Sequence, residues 1–287
     1  MKPPELSIIM PVYNSVKYVA EAVNSLLSQS FTNFELIIIN DASTDGSADV
    51  LKNFKDSRIL PEKFEKQIGF LKKNPGFGMV GSWVRMIDGD GKMMKEKWKL
   101  PAKPRLIPAI MLFRNYFVQS TIVVRREAIP EGGYRSGFDV VEDYQMWIDI
   151  AKKYPTWNLP EYLVNYRVHG LSATNSDTGR LRNQDQLIYR GLFSELKIDL
   201  DDNSLETHLL IKGNDPIKDF KTLKRIEEHL KLLILQSKNV QVYDESALRK
   251  VVFNRWLKCC FRARTAGVKV IGIFLSSPLT LKFIGRQ

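Results

Sequence analysis

Two polar turns near the start of the chain carry side chains suited to holding a small, hydrogen-bonding ligand. The first, PVYN over 11–14, follows an apolar run at 6–10, and the second, NDASTDG over 40–46, follows an apolar run at 34–39. Ligands of open α/β sheets bind at the carboxyl ends of parallel strands, so we expect both turns at one cleft. Neither turn contains the glycine-rich fingerprint of a dinucleotide site or of a P-loop.

Hydrophobic periodicity places these turns in an α/β fold. Strands over 6–10 and 34–39 alternate with helices over 16–28 and about 45–54, with Ser15 as the N-cap of the first helix. This order predicts a mostly parallel, Rossmann-like sheet flanked by helices. Later segments predict further elements. Helices are expected over 61–73 and 104–113, a hairpin over 79–87 with 92–98, and strands over 120–124 and 161–168.

The pattern becomes purely helical from about residue 177. We expect a nucleotide-binding-type domain over 1–175 and a helical C-terminal region over 176–287. The predicted helices of that region are 179–196, 203–212, 217–237 and 245–264.

The composition indicates which kinds of partner the protein could bind and in which cellular compartment it is expected. The 287 residues carry a net charge of +11, which favours a phosphate-bearing partner such as a nucleotide, an anionic lipid or a nucleic acid, or else is an ordinary solvated surface. The two cysteines, Cys259 and Cys260, are adjacent, so a disulfide framework is not expected. A reducing, cytoplasmic location is expected instead. No apolar run reaches the roughly 18 residues of a membrane span.

The last long helix is basic and amphipathic. Its basic residues alternate with apolar ones over 248–264: Arg249, Lys250, Arg255, Lys258, Arg262 and Arg264. Such a helix lies on an anionic membrane surface, packs on the protein with its basic face in water, or binds a partner helix. The apolar stretch over 268–283, interrupted by Pro278, is expected to be interfacial or packed.

Four motifs in sequence order resemble a known enzyme family. They are PVYN over 11–14, DASTDG over 41–46, the Glu142-Asp143 pair that opens a helix containing Trp147, and YRVH over 166–169. Together, over residues 5 to about 175, they resemble inverting glycosyltransferases of family 2, which have the GT-A fold. The resemblance implies transfer of a sugar from a nucleotide-diphosphate donor to an acceptor hydroxyl.

The resemblance also implies a nucleotide pocket. Pro11, Tyr13, Asn14 and Asp41 would line it, with Asp41 accepting a hydrogen bond from the base and Tyr13 stacking on it. An aromatic face and a fixed acceptor suit a uracil-like ring, so a UDP-linked donor is expected. The structural alternatives are a Tyr13 packed on the first helix, and an Asp41 or Ser43 that caps the helix near residue 45.

The reacting groups are implied in the same way. Asp143 matches the catalytic base, which takes the proton of the acceptor hydroxyl. Glu142, Arg167 and His169 would contact the acceptor or the diphosphate. Otherwise Glu142 and Asp143 merely complement the helix dipole, and a lone histidine is more often an ordinary polar residue.

A divalent metal, Mg²⁺ or Mn²⁺, is expected in the complete enzyme, yet the acidic motif that would hold it is missing. Asp88 and Asp90 fit its letters, but Gly91 and the flanking strands predict a hairpin turn instead. No strand separates the helices before and after residue 60. A strand–helix–strand block is therefore predicted to be missing between about Ile59 and Leu60, either omitted from this sequence, which we favour, or lost from the molecule.

The expected function is sugar transfer to a saccharide or lipid-linked acceptor in cell-surface polysaccharide synthesis. Peripheral contact with the inner face of the cell membrane would come from the basic C-terminal helix. The alternative is a non-catalytic nucleotide-sugar-binding protein of the same fold. Nucleic-acid binding is not expected, since basic and aromatic residues are not interleaved on strands.

Overall fold

The computed structural model describes residues 4–54, 63–100, 103–138, 140–168, 178–267 and 269–284. The chain forms two compact units, which we call unit one (Met1–Pro75) and unit two (Gly76–Gln287). The helices of 176–287 share one hydrophobic core with strands and helices that begin at Met79. The compact division therefore falls about a hundred residues before the domain boundary expected from the sequence.

Unit one is a βαβα arrangement followed by a third helix. Its elements are β1 (Leu6–Val12), α1 (Val19–Leu27), β2 (Phe34–Asn40), α2 (Ser47–Lys52) and α3 (Lys63–Lys73). The strands pair in parallel from Leu6 with Phe34 to Val12 with Asn40, which confirms the predicted parallel start of the sheet. Within the described residues β1 pairs with β2 alone.

The first helix begins three residues later than predicted, because Ser15 does not cap it. The Ser15 hydroxyl donates to the Tyr13 carbonyl at 2.9 Å, and the Ser15 carbonyl accepts from Val19 at 2.8 Å. The apolar side of α1 packs on the sheet through Val19, Val23 and Leu27.

Unit two contains a mixed sheet built on its longest-paired strand. Its strands are β3 (Met79–Ile87), β4 (Met93–Trp98), β5 (Val123–Val124) and β6 (Thr156–Arg167). β3 pairs antiparallel with β4 and β5 and parallel with β6. The predicted hairpin over 79–98 is confirmed, while β6 starts five residues before the predicted strand and β5 keeps only two residues of the predicted 120–124.

Helices cover the rest of unit two. They are α4 (Ile107–Ile110), α5 (Glu142–Lys153), α6 (Thr178–Glu195), α7 (Asp202–Lys212), α8 (Phe220–Val240), α9 (Glu245–Arg262), α10 (Lys269–Ser276) and α11 (Pro278–Ile284). The predicted helix over 104–113 is a 3₁₀ turn followed by the four-residue α4. Together with the strand pairs, this architecture confirms an α/β fold with a helical C-terminal region.

The basic residues of α9 do not form one solvent-facing stripe. Arg262 is buried and donates through Nε to the carbonyl of Asp215 at 2.8 Å, and the Arg255 guanidinium lies 5.1 Å from the centre of the Phe113 ring. Two of the basic residues predicted to meet a membrane therefore pack within unit two, while Lys250, Lys258 and Arg264 are exposed. Within the described ranges, no helix is both long and apolar enough to span a membrane.

Candidate functional site

Side-chain hydrogen bonds join the two predicted turns of unit one. The backbone N–H of Asn14 donates to Ser43 Oγ at 3.0 Å, and Asn14 Oδ1 accepts from the backbone N–H of Thr44 at 2.8 Å. The backbone N–H of Asp41 donates to the carbonyl of Val12 at 2.8 Å. The ends of β1 and β2 thus present one continuous polar edge.

Two residues of this edge have a strained backbone. Asn14 has φ 44° and Ala42 has φ 52°, both in the left-handed region. This conformation costs an L-residue other than glycine about 1–2 kcal/mol, and alanine has no polar side chain to offset it. Strain of this kind persists where the surroundings fix the backbone, and it is common at ligand-binding turns.

The Asp45 carboxylate joins the turn after β1 to the start of α2, a role that was not predicted from the sequence. It accepts from the backbone N–H groups of Val16 at 2.9 Å and Ser47 at 3.0 Å, and also from the Ser47 hydroxyl. These bonds, led by that of the Ser47 hydroxyl, hold the pKa of Asp45 below its usual value. An aspartate two residues before a helical serine is the signal that could have revealed it.

Asp45 therefore has, at the start of α2, the capping role that was considered for Asp41 and Ser43. The Asp41 side chain is exposed and, within the described residues, has no hydrogen bond that ties it to α2. Tyr13 is 63% exposed, so its ring does not pack on α1. Pro11 and Asn14 are exposed beside it. The four residues predicted to line the nucleotide pocket all lie on this edge and remain accessible to a ligand.

In unit two, Asp143 lies in the first turn of α5 and is half-buried. Burial raises the pKa of Asp143 to about 6, and the neighbouring Glu142 carboxylate adds to the rise. An acid that only complemented a helix dipole would have its pKa lowered instead. A carboxylate with a pKa near 6 is ionised at pH 7 and is a stronger base than an ordinary aspartate, as a general base requires.

Asn115 orients this carboxylate. Its Nδ2 donates to Asp143 Oδ2 at 3.2 Å, while its Oδ1 accepts from the backbone N–H of Phe117 at 3.0 Å. The Tyr144 hydroxyl donates to the carbonyl of Met111 at 2.5 Å and so ties the segment before Asn115 to α5. Asn115 was missed because nothing in the sequence marks one amide located 28 residues away.

Tyr134 is a second neighbour that the sequence did not reveal. Burial, together with the charges of Asp143 and Glu142, raises the pKa of its phenol, and its oxygen accepts from Gln119 Nε2 at 3.2 Å. Its ring is 47% exposed, and its phenol is near enough to Asp143 and Glu142 for their charges to affect its pKa. An exposed aromatic and an amide beside a base could contact a sugar ring and its hydroxyl groups.

The remaining predicted contacts have different outcomes. Arg167 ends β6 and donates through Nη1 to the carbonyls of Asp88 at 3.2 Å and Gly89 at 3.1 Å, so it braces the β3–β4 turn. The structure thus shows a bracing role for Arg167, and its contact with a diphosphate stays a prediction. His169 lies outside the described residues.

The described residues do not fit a divalent metal. They contain no group of three or more His, Cys, Asp or Glu side chains that could hold one. Asp88 Oδ1 instead accepts from the backbone N–H groups of Asp90 at 3.0 Å and Lys92 at 2.9 Å. The DGD segment is therefore hairpin-turn chemistry, as predicted from the sequence. The predicted break near Ile59 lies outside the described residues.

Comparisons with known proteins agree on one family. Residues 7–60 match the family described as Glycosyl transferase family 2. The O-antigen biosynthesis glycosyltransferase WbnJ of Escherichia coli is 31% identical over 213 positions, covering 60% of this chain and 82% of the relative. The putative glycosyltransferase EpsE of Bacillus subtilis strain 168 is 28% identical over 207 positions, covering 57% of this chain and 73% of the relative.

Two further similarities are partial or distant. The putative teichuronic acid biosynthesis glycosyltransferase TuaG of Bacillus subtilis strain 168 is 33% identical over 105 positions, or 33% of this chain and 39% of the relative. The mannosyltransferase PcManGT of Pyrobaculum calidifontis, solved with GDP-Man and Mn²⁺, has a TM-score of 0.41 at 13% identity, over 98% of this chain and 81% of the other. On the match to the Escherichia coli relative, the chain belongs to the glycosyltransferases of family 2.

Proposed function

We propose that this glycosyltransferase inverts the anomeric centre as it moves a sugar from a UDP-linked donor to a saccharide or lipid-linked acceptor. The observation that carries the proposal is the half-buried, Asn115-bonded carboxylate of Asp143, whose raised pKa suits a base for the acceptor hydroxyl. Relatives named for O-antigen and teichuronic acid biosynthesis support an acceptor in cell-surface polysaccharide synthesis. A lipid-linked acceptor would place the reaction at the cytoplasmic face of the cell membrane.

In this proposal the residues of the chain divide the work. The exposed edge of unit one, with Tyr13, Asn14 and Asp41, binds the base of the nucleotide. Asp143 takes the proton of the acceptor hydroxyl as its oxygen attacks the anomeric carbon from the side opposite the leaving nucleoside diphosphate. Glu142, next to Asp143 in the chain, and Tyr134, whose pKa both charges affect, would hold the acceptor. A divalent metal in the complete enzyme would neutralise the leaving diphosphate.

The test is transfer of labelled sugar from a panel of UDP-sugars to saccharide acceptors. Asp143→Asn keeps the shape of the side chain and removes its basicity, so transfer should fall about 10²- to 10⁴-fold while UDP affinity stays unchanged. The matched control is Asp149→Asn on the same helix, whose carboxylate is held by Arg135. Undiminished transfer by Asp143→Asn would remove the assigned base.

The donor half of the proposal has its own readout. Asp41→Ala should weaken UDP binding, measured by calorimetry, about 5- to 100-fold, because the N–H of the base loses a charged acceptor. Asp49→Ala, which removes an exposed aspartate of α2 that pairs with Lys52, is the control. Unchanged affinity with a lowered melting temperature would make Asp41 a purely structural residue.

A second candidate function is nucleotide-sugar binding without catalysis. It is favoured by the lack of a metal-binding cluster within the described residues. Wild-type chain that binds UDP but transfers no sugar in the presence of Mg²⁺ or Mn²⁺ would select this function.

A further inference from the structure

The end of the chain concentrates the positive charge of the whole molecule. The 42 residues from Ser246 to Gln287 contain nine Lys or Arg and no Asp or Glu, so this segment contributes +9 of the net charge of +11. The other 245 residues are nearly neutral, with a net charge of +2. A stretch with one sign of charge repels itself, and its effect is offset by a partner of opposite sign.

The same segment exposes large apolar side chains. Phe261 of α9 is 66% exposed, Ile271 and Leu275 of α10 are 62% and 57% exposed, and Leu281 of α11 is 57% exposed. Single exposed apolar residues are ordinary, but several on neighbouring helices make a surface that water solvates poorly. We call these four residues, with Leu257, the C-terminal face.

Helix packing places these residues on the outside of unit two. Val270 and Leu279 are buried, and the Phe253 ring of α9 lies 6.4 Å from the Phe274 ring of α10, so α10 lies along this side of α9. Leu257 and Phe261 follow Phe253 at intervals of four residues and therefore continue the same side of the helix. Ile271 and Leu275, also four apart, point away from the buried positions of α10.

Cations border this apolar surface. Lys250 is exposed on the same side of α9 as Leu257, and Lys269 is exposed at the start of α10. The Arg264 guanidinium lies 4.5 Å from the centre of the Phe261 ring, so an apolar ring and a cation share one exposed position. Long basic side chains around an apolar surface can reach phosphate groups while the apolar groups enter the acyl boundary.

We propose that the C-terminal face docks on the surface of an anionic lipid bilayer, with Phe261, Ile271 and Leu275 entering the acyl boundary and the surrounding lysines and arginines meeting lipid phosphates. The charge of the segment favours an anionic bilayer as the occupant of this face. A basic or neutral partner would not need a segment that lacks acidic residues. This revises the membrane contact expected from the sequence, because Arg255 and Arg262 of α9 pack inward and the exposed residues of α10 take their place. The inference stands independently of the transfer reaction.

Sedimentation of the full chain with vesicles tests the proposal. Wild type should bind vesicles of phosphatidylglycerol and phosphatidylcholine, bind pure phosphatidylcholine much more weakly, and release as salt rises. Ile271→Ser with Leu275→Ser should weaken binding at least about tenfold. The control is Leu187→Ser on α6, which changes a leucine that is 47% exposed outside the C-terminal face.

The electrostatic half has a charge-matched control. Lys250→Glu with Lys269→Glu should weaken binding at least about tenfold, whereas Lys95→Glu with Lys153→Glu lowers the net charge equally and should have little effect. The proposal is overturned if wild type ignores anionic vesicles, if both charge pairs act alike, or if the serine variants bind like wild type. Concentration-dependent dimerisation lost in the serine variants, without vesicle binding, would assign the face to a second copy instead.

Discussion

At the scale of single residues, the base and its amide partner make a testable unit. Asn115 donates to Asp143 Oδ2, and this bond favours the charged carboxylate, while burial and Glu142 favour the neutral form. The balance leaves the pKa of Asp143 at about 6. The acidic limb of the transfer rate should therefore lie near pH 6, because below it the base is protonated.

Removing the Asn115 amide should shift the acidic limb of the pH–rate profile. In Asn115→Ala the carboxylate loses a donor, so the pKa of Asp143 rises and the acidic limb of kcat/KM shifts to higher pH, with a smaller loss of rate well above the limb. Asn115→Ser, which keeps a donor of shorter reach, should shift the limb less. A loss of rate that is equal at every pH would mean that Asn115 only supports the fold.

Residue types with a chemical signature were predictable, and their supports were not. Tyr13 and Asp41 follow strand ends, so pattern placed them at the predicted cleft, whereas the role of Asp143 was implied by the resemblance to family 2 glycosyltransferases. Asn115 and Tyr134 lie in irregular segments without periodicity, and Asn115 reaches Asp143 through tertiary structure. Arg167 was expected at the diphosphate from the family resemblance, which stays a prediction, and nothing in the sequence showed that its guanidinium also donates to the carbonyls of the β3–β4 turn.

At the scale of elements, α7 and α8 are joined by a buried histidine pair. The Leu112 carbonyl lies 2.8 Å from His208 Nε2, which must therefore carry the proton, so His208 Nδ1 accepts from His229 Nε2–H at 3.2 Å. Burial lowers the pKa of His208 well below its ordinary value and that of His229 to about 4. The positive charges of Lys212 and Arg255 oppose protonation of His208 further.

This pair should make the stability of the protein depend on pH. Both histidines take up a proton on unfolding between pH 6.5 and about 4, so the free energy of unfolding should be greatest above pH 6.5 and fall as pH is lowered. Each proton contributes a slope of up to about 1.4 kcal/mol per pH unit. His229→Gln keeps an N–H for His208 Nδ1 and should reduce the slope by about one proton in urea titrations at several pH values. Equal slopes would contradict the assigned protonation.

Element prediction succeeded where one periodicity dominated. The four helices predicted over 179–264 were bounded to within about three residues because their apolar positions recur at helical spacing, whereas α10 and α11 were not predicted as helices. The predicted start of α1 was wrong because the Ser15 hydroxyl donates to the Tyr13 carbonyl instead of accepting from an N–H of the helix. The strand over 120–124 failed because Thr121 donates to the Val118 carbonyl in a 3₁₀ turn, which sequence periodicity does not encode.

At the scale of the molecule, the alignments bear on the block predicted to be missing near Ile59. The Escherichia coli alignment has 213 positions but occupies 60% of 287 residues, about 172, so about 40 positions of the relative have no counterpart here. The family match ends at residue 60. β1 has one strand neighbour within the described residues, and Ile9 beside the open edge is 65% exposed. These observations support the missing block, and an intact mass above 33.0 kDa would assign it to the molecule.

The block matters because it would supply the ligands of the metal. The 287-residue chain has no carboxylate cluster within its described residues, so UDP should bind it with the same affinity in Mg²⁺, in Mn²⁺ and in EDTA. Inserting the part of the Escherichia coli relative that corresponds to the predicted strand–helix–strand block between Ile59 and Leu60 should make UDP binding metal-dependent and raise transfer, since a cation can then neutralise the diphosphate. A glycine- and serine-rich insert of equal length controls for the added chain. Affinity that already depends on metal in the 287-residue chain would show that its own residues, outside the described ranges or rearranged, hold the ion.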